Sequence, residues 1–261
     1  MAARHPFRPV ADLLVTLAVW VYFVGGGLLV LLPSYLVALG TGRPRAAIQR
    51  VHHWFFRGFF AMLRAVRPGL RMRIDPDIRG LRGSIVVCNH VSYLDPLLLI
   101  ASLPRHSTFV KPVFFRVPLF GWCLWAAGYV PAGRDGLDER LLRRLARLQR
   151  HLAGGGNLFV FPEGRRGRGG RLGPFHHGAF RLARRFQVPL ELLHIKDTDR
   201  FYEPDRFLFH TGPPVEIAVE RLGRLDPGTA PASPTELAAA ARRRYLERGV
   251  PTDSRRESAA T

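Results

Sequence analysis

The chain has 261 residues, a formal net charge of +19 and 47% hydrophobic residues, and this apolar fraction excludes a disordered chain. Only Lys111 and Lys196 are lysines among its 39 basic residues, and the excess of positive charge indicates an anionic partner such as a membrane surface, a phosphorylated substrate or nucleic acid. The two cysteines, Cys88 and Cys123, exclude a disulfide framework and are typical of a reducing compartment.

The first predicted element is an apolar segment from Leu13 to Gly40 that contains no charged residue. As a helix it would be about 42 Å long, which exceeds the roughly 30 Å of a bilayer core. Gly25-Gly26-Gly27 and Pro33 interrupt the segment. One bent membrane span, a hairpin that enters one leaflet and a buried helix of a soluble fold therefore all stay open.

The second predicted element is an amphipathic helix in the segment from Ala47 to Arg67. Arg50, Arg57 and Arg64 recur every seven residues on one face, and aromatic and aliphatic residues fall largely opposite. This pattern is typical of a helix at a membrane interface, and the apolar segment before it favours that interpretation over packing against a core. We therefore predict a membrane-associated helical segment over residues 1–69.

Strands and helices alternate from residue 70 onward. The predicted strands are SIVVCNH, STFVKPV, NLFVFPEG, VPLELLHI and VEIAV. Helices are predicted between them, the one over Asp138 to Leu152 is amphipathic, and a capping box from Ser233 to Glu236 opens a last helix. This alternation predicts an α/β fold with a mostly parallel central sheet flanked by helices. We predict that the α/β domain covers residues 70–249 and that residues 250–261 form a flexible tail.

Polar clusters follow the predicted elements at three places. His90 and Asp95 come after the first strand, Gly128 to Arg134 after a tryptophan-rich helix, and Phe161 to Gly167 after a later strand. In open α/β sheets functional residues gather beyond the carboxyl ends of strands. Asp95 followed by proline is also a good helix start, with Asp95 as the N-cap, so capping and pairing with His90 need not exclude each other.

These clusters together resemble the sequence blocks of the glycerolipid acyltransferase family, which includes the 1-acyl-glycerol-3-phosphate acyltransferases. The matching residues are Asn89, His90 and Asp95 in the first block, Gly128 and Arg134 in the second, Phe161 to Gly167 in the third and Val188 to Leu190 in a weaker fourth. The likeness extends over about residues 84–193, and the order and spacing of the blocks make it specific.

The resemblance implies a membrane-associated O-acyltransferase. It would move a fatty acyl group from acyl-CoA or acyl-carrier protein to the sn-2 hydroxyl of 1-acyl-glycerol 3-phosphate, giving phosphatidic acid for phospholipid synthesis. The implied location is the cytoplasmic face of the inner membrane of a bacterium, on anionic lipid, with no cofactor besides the acyl donor and no metal. A nucleic-acid partner is not expected, because the aromatic residues cluster in apolar segments and no nucleic-acid-binding motif is present.

The residue types suit acyl transfer. Histidine titrates near neutral pH, so His90 is the predicted general base, and Asp95 would fix its tautomer and stabilise the imidazolium. Arginines bind phosphate through bidentate hydrogen bonds. The resemblance assigns Arg134, Glu163, Gly164 and Arg166 to acceptor binding; Gly128 belongs with them, and Lys111 is either a phosphate ligand or a structural lysine. Cys88 as an acyl carrier is a minor alternative.

The third block departs from the family pattern at Arg165 and Gly167, where threonine and serine are usual, and His176 stands where lysine is common. His176 and His177 are adjacent and lack metal-ligand spacing, so they are expected at the surface or in the acceptor site. These departures leave open an acyltransferase for another lysolipid, such as an aminolipid or glycolipid precursor. A non-catalytic basic membrane-binding protein is the alternative from another class.

Overall fold

The computed structural model of the chain describes residues 8–133, 139–167, 169–202, 207–209, 211–228 and 233–253. The helices in these ranges are α1 (Arg8–Gly26), α2 (Leu32–Leu39), α3 (Pro44–Val66), α4 (Leu94–Ser102), α5 (Phe120–Ala127), α6 (Glu139–Ala153), α7 (Gly178–Phe186), α8 (Thr198–Phe201) and α9 (Pro234–Glu247). The strands are β1 (Leu70–Ile74), β2 (Ile85–Cys88), β3 (His106–Val110), β4 (Val130–Pro131), β5 (Asn157–Val160), β6 (Leu190–Lys196) and β7 (Val215–Leu225).

The strands form one sheet with the order β1-β7-β6-β2-β5-β3-β4. All neighbouring strands are parallel except β6 and β7, which pair antiparallel. The predicted α/β fold with a mostly parallel sheet is therefore confirmed. Because β2, β3, β5 and β6 run in the same direction, the loops that leave their carboxyl ends meet at one edge of the sheet.

The sheet separates two hydrophobic cores. Successive residues of β2 point to opposite faces: Val86 and Cys88 belong to one core, and Ile85 and Val87 belong to the other. Helices α1 to α5 and α8 cover the first face, and we call them the N-terminal layer. Helices α6, α7 and α9 cover the second face and form the C-terminal layer.

The apolar N-terminal segment forms one long helical path rather than a hairpin of its own. Helix α1 continues through a π-helical turn, Gly27–Leu31, into α2. The proline at position 33 has no N–H to donate, and the π-turn carries the helix past it with Leu32 N–H bonded to Gly27 O. Only 17% of the most apolar stretch within Pro9–Leu39 is buried, so the helix is not the core helix of a soluble fold.

Helix α3 lies antiparallel to this path and corrects the prediction of a purely interfacial helix. Its apolar face packs into the first core, where Ile48, Phe59 and Leu63 are almost completely buried. Tyr22 of α1 contacts the Phe59 ring, with the ring centroids 5.7 Å apart. Core packing therefore accounts for Phe59 and its buried neighbours on α3, while Trp54 and Arg64 stay exposed.

The chain end is ordered beyond the start of the predicted tail. Val250 is buried, and Leu172 N–H donates to Pro251 O at 2.7 Å. Thr252 forms a parallel bridge with Leu172. Residues 250–253 therefore pack on the α/β domain, and residues 254–261 lie outside the described part of the chain. The predicted capping box of α9 is present, with Ser233 and Glu236 each bonded to the backbone of the other.

Candidate active site

The side chain of Asn89 ties the carboxyl end of β2 to the neighbouring strand β6. Its Nδ2 donates to Ile195 O at 2.9 Å, and its Oδ1 accepts from Ile195 N–H at 2.8 Å. Asn89 is buried, so water does not compete for these two bonds. The contact fixes the point at which the backbone leaves the sheet, and His90 is the next residue.

Asp95 lies in the first turn of α4, and its side chain is completely buried. Its Oδ2 accepts hydrogen bonds from His90 Nδ1 at 2.9 Å and from the backbone N–H groups of Val91 (2.6 Å) and Ser92 (2.8 Å). Its Oδ1 accepts from the Thr198 hydroxyl at 2.5 Å. These four donors offset the cost of burying a carboxylate.

The predicted N-cap role of Asp95 is wrong, because α4 begins two residues earlier than that role requires. Leu94 is its first residue, and Tyr93 occupies the N-cap position without a side-chain cap bond. The hydroxyl of Ser92 accepts from Leu94 N–H at 3.3 Å instead. Asp95 turns back towards the loop before the helix, and this orientation leaves its carboxylate available to His90.

The imidazole of His90 is held in one orientation. An ionised carboxylate only accepts hydrogen bonds, so His90 Nδ1 carries the proton that Asp95 receives and Nε2 keeps a lone pair. The ring stacks on Phe161, with centroids 4.1 Å apart and an interplanar angle of 20°. The side chain is 18% exposed, and no group in the described ranges hydrogen-bonds to Nε2. His90 can therefore accept a proton from a bound hydroxyl.

Glu163 joins the loop after β5 to the loop after β2. Its Oε1 accepts from His90 N–H at 3.1 Å, and its Oε2 accepts from Gly173 N–H at 2.7 Å. The same two loops are joined again by Gly167 N–H, which donates to His90 O at 2.6 Å. Glu163 is buried, so it braces the backbone beneath the histidine; direct contact of its carboxylate with an acceptor stays a prediction.

Two of the predicted phosphate ligands lie at this edge of the sheet. The guanidinium carbon of Arg166 lies 3.4 Å from the centroid of the Tyr93 ring, a close cation–π contact that fixes the arginine over the start of α4. Lys111 directly follows β3 and is exposed. Gly164 is exposed beside Glu163, and a Cβ added to it would lie 3.1 Å from the His176 ring. His176 therefore neighbours the third block.

The structure does not bring Gly128 to this edge. Gly128 ends α5 in the left-handed conformation, with φ of 78°, and its carbonyl accepts from Ser107 Oγ at 3.0 Å. Ser107 lies in the amino-terminal half of β3, level with Ile85 at the start of β2. Gly128 thus has the role of a helix cap. Arg134, the other residue of the second block, lies outside the described residues.

No sequence pattern pointed to Thr198, which the structure places in direct contact with Asp95. Thr198 follows β6 and is completely buried, and it supplies the side-chain donor to Asp95 Oδ1. A threonine after a strand is common and carries no motif of its own. The tertiary fold alone brings it to Asp95, which lies 103 positions earlier in the chain.

Cys88 is unsuited to carrying an acyl group. Its side chain is completely buried in β2, and burial raises the pKa of its thiol well above the usual range, with the Asp95 carboxylate adding to the shift. A thiol that is neither exposed nor ionised is a poor nucleophile.

Comparison with known proteins supports the resemblance seen in the sequence. A family model described as Acyltransferase matches residues 70–191. The chain is 31% identical to the chloroplastic 1-acyl-sn-glycerol-3-phosphate acyltransferase BAT2 of Brassica napus over 59% of this chain and 46% of that protein. It is 34% identical to the chloroplastic 1-acyl-sn-glycerol-3-phosphate acyltransferase LPAT1 of Arabidopsis thaliana over 52% of this chain and 38% of that protein. The chain thus spans less than half the length of these two relatives.

The fold also has a solved counterpart. The crystal structure of the 1-acyl-sn-glycerophosphate (LPA) acyltransferase PlsC from Thermotoga maritima superposes with a TM-score of 0.70 at 19% sequence identity. The superposition covers 92% of this chain and 96% of that one, so the N-terminal layer and the sheet are both included. The chain therefore shares the fold of that structure, and residues 70–191, which match the Acyltransferase family model, include His90, Asp95 and Glu163.

Proposed function

We propose that the chain transfers a fatty acyl group from an acyl thioester to the sn-2 hydroxyl of 1-acyl-glycerol 3-phosphate and so produces phosphatidic acid. The observation that carries this proposal is the hydrogen-bonded pair of His90 and Asp95 at 2.9 Å, with Nε2 of the histidine facing away from the carboxylate. The relatives described above are 1-acyl-sn-glycerol-3-phosphate acyltransferases, which supports the choice of acceptor.

In the proposed reaction His90 Nε2 takes the proton of the acceptor hydroxyl as its oxygen attacks the thioester carbonyl carbon. A carbon–oxygen bond forms, and the carbonyl oxygen becomes negatively charged. When this intermediate collapses, the carbon–sulfur bond breaks and the imidazolium returns its proton to the departing thiolate. Asp95 stabilises the imidazolium between the two steps, an arrangement analogous to the pair in serine hydrolases. No residue of the chain becomes acylated.

Acceptor recognition is assigned to cations around this pair. Arg166 stands over Tyr93 with its charge beside the loop of His90, and Lys111 lies at the same edge of the sheet. An arginine and a lysine there suit a phosphate monoester, because charge-assisted hydrogen bonds favour the dianion. Arg134 belongs to the proposal through the sequence blocks alone. Another lysolipid acceptor remains the second candidate, because Arg165 and Gly167 depart from the family pattern.

The proposal includes attachment to a membrane through the helical path Pro9–Leu39. This path is long and apolar enough to cross a bilayer, and large side chains such as Leu29 (79% exposed) and Val37 (74% exposed) cover its outer surface. Burying so much apolar surface in lipid is strongly favourable. The relatives' acceptor is itself a lipid, which agrees with an enzyme held at its substrate's surface.

The test is thiol release from acyl-CoA and from acyl-carrier protein, measured with lysophosphatidic acid for the wild type, His90→Ala and Cys88→Ala. We expect turnover by the wild type and by Cys88→Ala, and a loss of about 10²–10⁴-fold for His90→Ala. Turnover only with another lysolipid would replace the acceptor and keep the mechanism. Inactivity with a broad panel of acceptors and both donors would favour a non-catalytic membrane-binding protein.

A further inference from the structure

A second apolar surface lies apart from the N-terminal helix, between β3 and α5. Its members are large apolar side chains that point into solvent, namely Val113, Phe114, Val117, Leu119, Phe120 and Trp122. We call this surface the aromatic patch. Trp122 is 73% exposed and Leu119 is 62% exposed, so most of the surface of these side chains is not buried in the hydrophobic core. A contiguous exposed apolar surface of this kind marks an interaction site.

The backbone beneath the aromatic patch is rigidly built. Phe120 N–H donates to Pro118 O at 2.6 Å, and Leu119 between them has φ of 61° and ψ of −53°. This is a γ-turn of the rare strained form, and a leucine adopts it at a cost. Behind the turn the Phe115 and Trp125 rings pack with centroids 4.6 Å apart. The exposed side chains are therefore held outward by defined structure.

The position of the aromatic patch relates it to both the active site and the N-terminal helix. The segment starts at Lys111, immediately after β3, at the same edge of the sheet as His90 and Glu163. Helix α5, which carries Trp122, belongs to the N-terminal layer together with α1 and α2. A flat partner covering that layer could reach both surfaces.

Charge complementarity identifies the partner. Lys111 and Arg116 are exposed and flank the apolar side chains, and no acidic residue occurs between Asp95 and Asp135. Tryptophan and phenylalanine next to cations are the composition of surfaces that enter the interface of an anionic bilayer. A water-exposed acidic protein would match the two cations but would leave most of the apolar side chains without a counterpart.

We propose that the aromatic patch is a second membrane-contact surface, which inserts into the interface of an anionic leaflet and seats the His90 edge of the sheet against it. The inference rests on the membrane attachment included in the proposed function. With one contact the protein could swing about its N-terminal helix. With two contacts the active-site edge stays at the depth where a lipid acceptor presents its glycerol hydroxyl.

The first experiment measures quenching of single tryptophans by phosphatidylglycerol vesicles that contain brominated phosphatidylcholine. One variant keeps Trp122, and a second keeps Trp20 on α1, with the other tryptophans changed to phenylalanine. We expect bromine to quench both. Quenching of Trp20 alone would overturn the inference while membrane attachment stands. Quenching of neither would overturn both.

The second experiment uses Leu119→Gly, which removes an exposed side chain at a backbone conformation that glycine adopts without strain. A matched control is Leu142→Gly on α6 of the C-terminal layer, where the leucine is 50% exposed. We expect Leu119→Gly to lower turnover of vesicle-embedded acceptor by about tenfold, with turnover of the same acceptor in detergent micelles within twofold of the wild type. Equal loss in vesicles and micelles, or no loss in either, would contradict the inference. A selective rise in KM for acyl-carrier protein would instead assign the surface to that protein.

Discussion

The two helical layers bury similar cores but present opposite outer surfaces. In the C-terminal layer, exposed arginines such as Arg147 and Arg184 lie opposite the buried faces of α6 and α7. In the N-terminal layer, α1, α2 and α5 bury one side and expose aliphatic and aromatic side chains on the other. The first arrangement is what water requires of an amphipathic helix. The second exposes apolar side chains to water at a cost, and it agrees with the membrane attachment that we propose.

The site around His90 and Asp95 joins segments from both layers at the sheet edge. Asp95 belongs to α4 of the N-terminal layer, while Glu163 comes from the loop after β5 and also accepts from Gly173 N–H, in the segment that leads to α7 of the C-terminal layer. The N-terminal layer thus supplies the carboxylate partner of His90, and the loop after β5 supplies Glu163 and Arg166. This division suits a substrate whose acyl chain lies in a membrane and whose phosphate lies in water.

We expect the largest effect from placing charges on the apolar outer surface of the N-terminal layer, which should weaken membrane insertion. Val21→Arg combined with Leu29→Arg places two charges on exposed positions of the helical path Pro9–Leu39. Each arginine near the centre of a membrane helix costs about 2.5–3.5 kcal/mol, so insertion should weaken by roughly 5–7 kcal/mol. Vesicle flotation measures the loss. Leu142→Arg on the C-terminal layer is the control, and equal weakening by the control would remove the distinction between the layers.

The next prediction concerns the two hydrophobic cores, which we expect to contribute equally to the free energy of unfolding. Phe59→Ala in the N-terminal layer and Phe180→Ala in the C-terminal layer each empty a site with no exposed surface. Each should lower the free energy of unfolding by about 3–5 kcal/mol, because a large cavity replaces a packed ring. Denaturant unfolding in detergent measures both. A small effect at Phe59 alone would mean that lipid, rather than protein packing, holds α3 in place.

Two buried histidines of the N-terminal core should contribute to the acid sensitivity of folding, together with His194 on β6, where burial also lowers the pKa to about 4. Burial lowers the pKa of His52 to about 4 and the pKa of His106 to about 3, from an ordinary value of 6.5. The unfolded chain then binds more protons below pH 6.5, so the free energy of unfolding falls as pH drops from 6.5 towards 4. Each histidine contributes up to about 1.4 kcal/mol per pH unit.

This pH dependence is measured by urea unfolding at pH 7.5, 6 and 5. We expect the double variant His52→Gln and His106→Gln to be less stable at pH 7.5 but to show a flatter decline with acid. The comparison variant is His177→Gln, at the start of α7 in the C-terminal layer. An unchanged slope in the double variant would show that other groups dominate acid unfolding.

We expect the smallest change in stability from a substitution at the polar surface of the C-terminal layer. Ser233→Ala removes the capping box of α9, in which Ser233 Oγ accepts from Glu236 N–H at 3.1 Å. The loss should be about 1 kcal/mol, the usual worth of an N-cap. Thermal unfolding measures it, and Ser233→Asp should restore most of the stability. A loss several times larger would mean that α9 contributes more to the domain than its buried face suggests.

Local patterns in the sequence were sufficient for the α/β fold, the capping box of α9 and the position of His90 and Asp95 at a strand end. These features depend on residues a few positions apart, or on the rule that parallel strands share a carboxyl edge. Pairing of His90 with Asp95 could therefore be expected before their 2.9 Å contact was seen. The exact start of α4 could not, because Asp95 turns back to the N–H groups of Val91 and Ser92 and the Ser92 hydroxyl accepts from Leu94 N–H.

The remaining features were decided by tertiary structure. The same amphipathic pattern in α3 suits a bilayer or a core, and only the presence of α1 and α4 beside it selected the core. Thr198 reaches Asp95 across 103 positions and Glu163 reaches the backbone of His90 across 73, and no local pattern encodes such distances. The sequence by itself determined which residues can do the chemistry. The packing of distant segments determined which of them meet, because hydrogen bonds in a buried site depend on where the chain returns and not on the order of its residues.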